Sequence, residues 1–158
     1  MNNIHVSKKE GASLKGHYKF TLRDIITGEV QVFEYENIVP TVGRTMIANN
    51  LTAASPTNAI RLNKAALGTG TNTPANSDTQ LQTETYRNDL ASRTNASNIA
   101  YVSAFYNATE TTGTYREAGI FSDGTGSANT GVLVSRVAIN ITKTNTQTLT
   151  LDWTLTIS

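Results

Sequence analysis

From Gln147 to Ile157 the chain alternates without a fault: Leu149, Leu151, Trp153, Leu155 and Ile157 share one parity, and Thr148, Thr150, Asp152, Thr154 and Thr156 the other. A period of two is that of a β-strand with one dry face and one wet face. Full burial of the five apolar side chains would contribute roughly 1.5–3 kcal/mol each, an upper bound because the unfolded chain is itself partly compact. The stretch before it keeps the same phase, with Leu133, Val137, Ile139 and Ile141 on one side and Arg136, Ala138 and Asn140 on the other. In an antiparallel pair, residues directly opposite one another share a face. A two-residue turn would set Ile141 against Thr148 and fails that test. A three-residue loop, Thr144-Asn145-Thr146, aligns Ile141 with Leu149, Ile139 with Leu151 and Val137 with Trp153. The expectation is therefore a terminal hairpin at the centre of the core, with Arg136 diagonal to Asp152 on its outer face.

Upstream, the same reading gives an arm, a second hairpin and a helix. Residues 1–15 are polar and lysine-bearing, an N-terminal arm that a neighbouring subunit would hold. Tyr18, Phe20 and Leu22 alternate with Lys19, Thr21 and Arg23, Thr27-Gly28 supplies a turn, and Val30, Val32, Phe33 and Tyr35 return. Val32 and Phe33 put apolar groups on both faces, which predicts partial cover on both sides. Pro40 stops the strand, and Thr41 caps a short helix near 41–53. Strands are expected at 60–67, 84–92, 99–106 and 115–121, separated by Asn/Thr/Gly-rich turns. The sum is an all-β fold, mainly an antiparallel β-sandwich of about seven or eight strands with one short helix. It divides into the 1–15 arm and a single β-rich domain over 16–158: the hairpin at 16–37, helix and linker at 38–58, and the main sandwich at 59–158. A chain of 158 residues suits one such domain.

Composition excludes several function classes. Thirteen basic and twelve acidic side chains leave a net charge of +1, and 16% of residues are charged against roughly 25% in ordinary soluble proteins. That argues against an electrostatic grip on nucleic acid. Threonine (26) and asparagine (16) take the place of charge, and threonine keeps an outer strand face polar. There is no cysteine, hence no disulfide, thiolate nucleophile or cysteine-ligated zinc. No stretch approaches the ~18 apolar residues of a membrane span, and the first sixteen residues lack the apolar run of a signal peptide. Synthesis in the cytoplasm without membrane insertion is the expectation.

Catalytic, cofactor-binding and metal-ligating residues are not expected. A serine-type triad needs an imidazole base, and the two histidines are His5 in the arm and His17 on a wet strand face. Paired carboxylates for glycoside hydrolysis reduce to Glu34 with Glu36, which read as a solvated face that discourages edge pairing, and Glu110 with Glu117. Asp123-Gly124-Thr125-Gly126 lacks the further carboxylates of a calcium loop. Gly68-Thr69-Gly70-Thr71 lacks the lysine of a phosphate loop. Arg87, Arg93, Arg116 and Arg136 are scattered and read as solvated strand-face charge.

Several short motifs do form a recognisable order: NIVPTVGRTMIANNL, then ALGTGTNTPANSDTQLQTETYR, then EAGIF, then a glycine and Leu133-Val134-Ser135-Arg136, and a closing LTLDWTLTI. From about Asn37 to the C-terminus the chain resembles a family of tailed-bacteriophage virion structural proteins, described as tail, tail-fibre or baseplate-associated. The resemblance implies a β-rich, non-enzymatic, multi-copy building block in the virion. Its partners would be copies of itself and other virion proteins, and it brings no catalytic residues. Within that class the alternative is a capsid decoration, head-fibre or collar/neck protein. From a different class, a host-receptor or carbohydrate-binding module would place aromatics on exposed loops, for which Tyr106, Tyr115 and Phe121 are the candidates. For assembly the candidate contact is the nearly uncharged ribbon Thr148, Thr150, Thr154 and Thr156, because a strand face without charge does little to repel another chain.

Overall fold

The computed structural model describes residues 11–52 and 60–158. Residues 1–10, which include His5 and most of the expected arm, and residues 53–59 of the expected linker lie outside the described residues. Nine strands and one helix are described: β1 (Leu14–Asp24), β2 (Val30–Asn37), α1 (Thr41–Thr52), β3 (Leu62–Gly68), β4 (Glu84–Asp89), β5 (Ser92–Ala96), β6 (Ile99–Tyr106), β7 (Gly113–Ser122), β8 (Val132–Lys143) and β9 (Gln147–Ile157). All pairings are antiparallel, in a five-stranded sheet of order β2-β1-β9-β6-β5 and a four-stranded sheet of order β4-β3-β7-β8. The fold is an all-β sandwich with one short helix, as expected.

The alternation of β9 sets its dry face as read: Leu149, Leu151, Trp153 and Leu155 are buried, while Ile157, at the strand end, is exposed. The expected terminal hairpin does not form. β9 is the central strand of the first sheet, between β1 and β6, and β8 is an edge of the second sheet, paired with β7. Val137, Ile139 and Ile141 share one core cluster with Leu149, Leu151 and Trp153 from the opposite sheet. Parity does not separate the two arrangements. Inward-facing residues stay inward whether the strands lie side by side or face to face, and the face-to-face arrangement leaves both edges of β9 free to pair.

The N-terminal hairpin is present. Asp24 Oδ1 accepts from the backbone N–H of Ile26 (2.8 Å) and Thr27 (3.0 Å), and Gly28 supplies the positive φ of +75° that the turn requires. Pairing begins at Leu14 against Ile157, and Ser13 exchanges backbone hydrogen bonds with Ser158. The strand thus starts inside the segment expected to be an arm. Val32, expected under cover, is exposed: β2 is an edge strand, and Phe33 and Tyr35 alone turn its apolar side toward the core.

The segment expected as one strand over 84–92 is two. β4 ends at Asp89 in one sheet and β5 starts at Ser92 in the other, across Leu90-Ala91. β5 carries no buried side chain and is held by its ladder to β6, so hydrophobic periodicity contains no trace of it.

Helix α1 lies on β8, with Gly43 and Met46 buried. A second small core of Ala66, Leu81, Phe121 and Leu133 lies apart from the main one, with Val42 of the helix packed against it.

Candidate functional site

Alternation on β1, β6 and β9 gives the five-stranded sheet one face turned away from the core. Its cross-strand rows run Val32–Thr21–Thr150–Phe105, then Glu34–Lys19–Asp152–Ser103, then Glu36–His17–Thr154–Tyr101. The expected threonine ribbon therefore lies along the middle of the sheet, and Thr148, Thr150, Thr154 and Thr156 are half-buried by their lateral neighbours. Val30, Val32, Tyr101 and Phe105 stand exposed on either side of it. Glu34 and Glu36 are exposed on the edge strand, opposite Lys19 and His17.

The aromatic candidates for receptor contact are core residues. Tyr106 and Phe121 have no exposed surface and Tyr115 is 4% exposed. Tyr106 donates its hydroxyl to the Ala65 carbonyl at 3.0 Å, and burial raises its pKa well above the ordinary phenol value. Phe121 lies beneath the Arg87 guanidinium, 4.7 Å from ring centroid to Cζ. Tyr106 and Tyr115 belong to the main core and Phe121 to the second small one, so all three lie on covered faces.

Sequence reasoning missed the ionic interior. Arg136 and Glu117, both buried, meet at 2.8 Å. Arg136 also donates to Asp78 at 2.5 Å and to the Asn72 carbonyl at 3.3 Å. Glu117 accepts three backbone N–H groups, from Gly70 (3.2 Å), Gln82 (3.0 Å) and Thr83 (2.7 Å). The loop between β3 and β4 is thereby fastened to the outer face of the second sheet, with its own Leu81 buried against Ala66, Phe121 and Leu133. A Cβ on Gly68 would come within 2.6 Å of the Glu117 carboxylate, and Gly70 is as tightly placed. The glycine loop that lacks a lysine thus wraps an anion after all, one that the chain supplies itself. Close by, Arg87 pairs with Glu84 through two bonds, at 2.5 and 2.7 Å, and donates to the Thr125 and Thr130 carbonyls. Glu84 accepts the Asn129 N–H at 2.9 Å, which fastens the β7–β8 loop in the same way. The expectation of solvated charge is corrected for Arg87 and Arg136, whose side chains are each 3% exposed.

Lys143 is also buried, and its Nζ donates to the carbonyls of Glu110 (2.7 Å), Ala108 (2.9 Å) and Thr144 (3.4 Å). Burial lowers its pKa from the ordinary lysine value, against a smaller upward effect of Glu110. Glu110 itself accepts the Asn107 N–H and an Asn88 amide proton. The two carboxylates offered as a catalytic pair, Glu110 and Glu117, thus hold different loops. Among the described residues no group of three or more His, Asp or Glu is placed to hold a metal ion, and no helix is long and apolar enough to cross a membrane.

Near the two ends of β1 lie apolar surfaces that no other described residue covers. At its start a groove of about 770 Å³ is lined by Leu14, Ile38, Val39, Ile47, Leu51 and Ile157, with Arg44 and Asn76 also on its wall. At its end the hairpin tip presents Ile25 and Ile26, 61% and 76% exposed. A cleft of about 380 Å³ beside Arg61 and Arg93 opens at the β5 edge. Comparison with protein-family models, with curated proteins and with solved structures finds no match to this chain.

Proposed function

We propose that this chain is a structural subunit of a tailed-bacteriophage particle, part of the tail, baseplate or fibre apparatus, and that it acts by oligomerisation and docking, without turnover. The observation that carries this reading is the distribution of its apolar surface. Ile25, Ile26, Val30 and Val32 are exposed at one end of the first sheet, Leu51 and Ile157 at the other, and Tyr101 and Phe105 on its face. Exposed apolar surface gathered into patches marks places where another chain sits.

The motif order that resembles virion proteins has a physical basis in this fold. Gly68, Gly70, Asp78, Glu84, Arg87, Glu117 and Arg136 come from three separate motif segments and meet in the two ionic clusters that fasten the long loops. A subunit that keeps its shape under load benefits from loops fixed this way. The receptor-module reading loses its three aromatic candidates to the core. Purification of the particle that encodes this chain, followed by mass spectrometry and a density map, tests the proposal. The expected result is the chain in stoichiometric amount at a symmetric position in the tail; its absence from particles overturns the reading, and a copy number matching the capsid lattice moves it to a decoration role.

A further inference from the structure

We propose that copies of this chain join head to tail, the Ile25–Ile26 hairpin tip of one entering the groove beside Leu51 of the next. The inference rests on the structural-subunit reading and names the partner, a second copy.

Three features carry it. First, knob and socket have matching chemistry: the tip offers two exposed isoleucines, and the groove is walled mainly by aliphatic side chains, with Leu51 82% and Ile157 50% exposed. Second, the tip is built in advance. Asp24 accepts two turn N–H groups and the Thr146 hydroxyl (2.7 Å), and Ile25 donates its N–H to the Thr146 carbonyl (2.8 Å). Little conformational freedom is left to lose on docking. Third, the tip has a net negative charge, Asp24 and Glu29 against Arg23, and the groove wall carries Arg44.

Within one copy the two surfaces cannot meet. Leu14 lines the groove and Asp24 opens the turn, at opposite ends of the same eleven-residue strand, about 33 Å apart at roughly 3.3 Å per residue. The socket for the tip therefore belongs to another molecule. Such a contact is heterologous, and it generates a ring or an open stack according to whether the rotation between copies closes.

Sedimentation velocity on the full chain over a concentration series tests this. Wild type should form species larger than a dimer. Ile26→Asp and Leu51→Asp, both at exposed positions, should each raise the concentration needed for assembly at least tenfold while circular dichroism and melting stay unchanged. An equimolar mixture of the two retains one intact tip and one intact groove, so it should give a two-copy species that neither variant forms alone. Glu29→Arg and Arg44→Glu should each weaken assembly, and the double variant should restore it.

Assembly unchanged in both aspartate variants, or a mixture that stays monomeric, overturns the proposal. So does a chain lacking residues 1–10 that fails to assemble while Ile26→Asp assembles normally, since the groove would then take the arm. Unaltered assembly of the variants, with the chain present in particles, removes this contact and leaves the structural role; absence from particles removes the role whatever the variants do.

Discussion

Arg136 and Glu117 form a buried ion pair at 2.8 Å on neighbouring strands, beneath a loop to which neither belongs. The pair is useful to the fold through what else it holds. Glu117 gathers the N–H groups of Gly70, Gln82 and Thr83, and Arg136 reaches Asp78 and the Asn72 carbonyl. Breaking one half of such a pair leaves a charge uncompensated inside the protein.

Glu117→Gln should therefore lower stability by about 3–5 kcal/mol, read from chemical denaturation. Replacing both partners with methionine removes the charges but not the requirement of the three loop N–H groups for an acceptor. Each buried donor left unpaired costs about 1–3 kcal/mol, so the double variant should remain destabilised. Hydrogen exchange at Gly70, Gln82 and Thr83 should accelerate in both. A double variant as stable as wild type would show that the carboxylate is not what holds the loop.

Gly43→Ala sets two effects against each other. Alanine in a helix interior is favoured over glycine by about 1 kcal/mol. A Cβ at this position, however, would lie 3.0 Å from the Leu133 carbonyl oxygen and 3.0 Å from Val134 Cα, both backbone atoms of β8 that cannot swing aside. Overpacking of this kind costs about 1–3 kcal/mol. The net expectation is a lower melting temperature, measured by calorimetry; a rise would mean that the helix can lift off the sheet at little cost.

These residues mark the boundary of what was legible in the sequence. The alternation of β9, the β1–β2 hairpin with its Thr27-Gly28 turn, and helix α1 after Pro40 are all local patterns, and they form as read. Which strand lies beside β9 is not local. The residues that decide it, Tyr18 and Phe20 on β1 and Val102 and Ala104 on β6, are 130 and 50 residues away in round numbers, and parity is the same for a hairpin and for two facing sheets. The ionic clusters were hidden for a related reason. Arg136 continues the polar parity of its strand, and that parity reads as solvent until a loop from residues 69–83 is known to cover it. The signal available was the pair of glycines at 68 and 70 with no ligand to cradle.

Asp24→Ala tests the turn. Hydrogen bonds from the Thr27 N–H, the Thr146 hydroxyl and the Ile26 N–H hold the Asp24 carboxyl below its ordinary pKa. A carboxylate with a depressed folded pKa contributes stability that is present above its unfolded value and is lost as pH falls through the folded value. In wild type the Ile26 and Thr27 amides should thus lose protection, measured against the intrinsic exchange rate at each pH, only once acid protonates Asp24, below about pH 4. In the variant their protection should be low at every pH, as followed by two-dimensional NMR. Equal protection in both proteins would remove the carboxylate from the account of the tip.

Lys143→Met removes the donor and the charge together at the other end of the loop system. The lysine ammonium satisfies the carbonyls of Ala108, Glu110 and Thr144; methionine fills similar space and offers no proton, so a net loss of about 1–3 kcal/mol is expected. The pH dependence has a definite sign. Burial lowers the folded pKa of Lys143 below the ordinary 10.5, so between those two values the unfolded chain binds more protons and stability rises with pH. Tyr18 and Tyr106, raised by burial above the ordinary 10.0, act in the opposite direction in the same range. Only the difference between wild type and Lys143→Met isolates the lysine, since the tyrosines are common to both. The deficit of the variant, measured by thermal unfolding as pH is raised toward 10.5, should therefore widen; a deficit that stays constant would mean the ammonium titrates in the fold as it does in water.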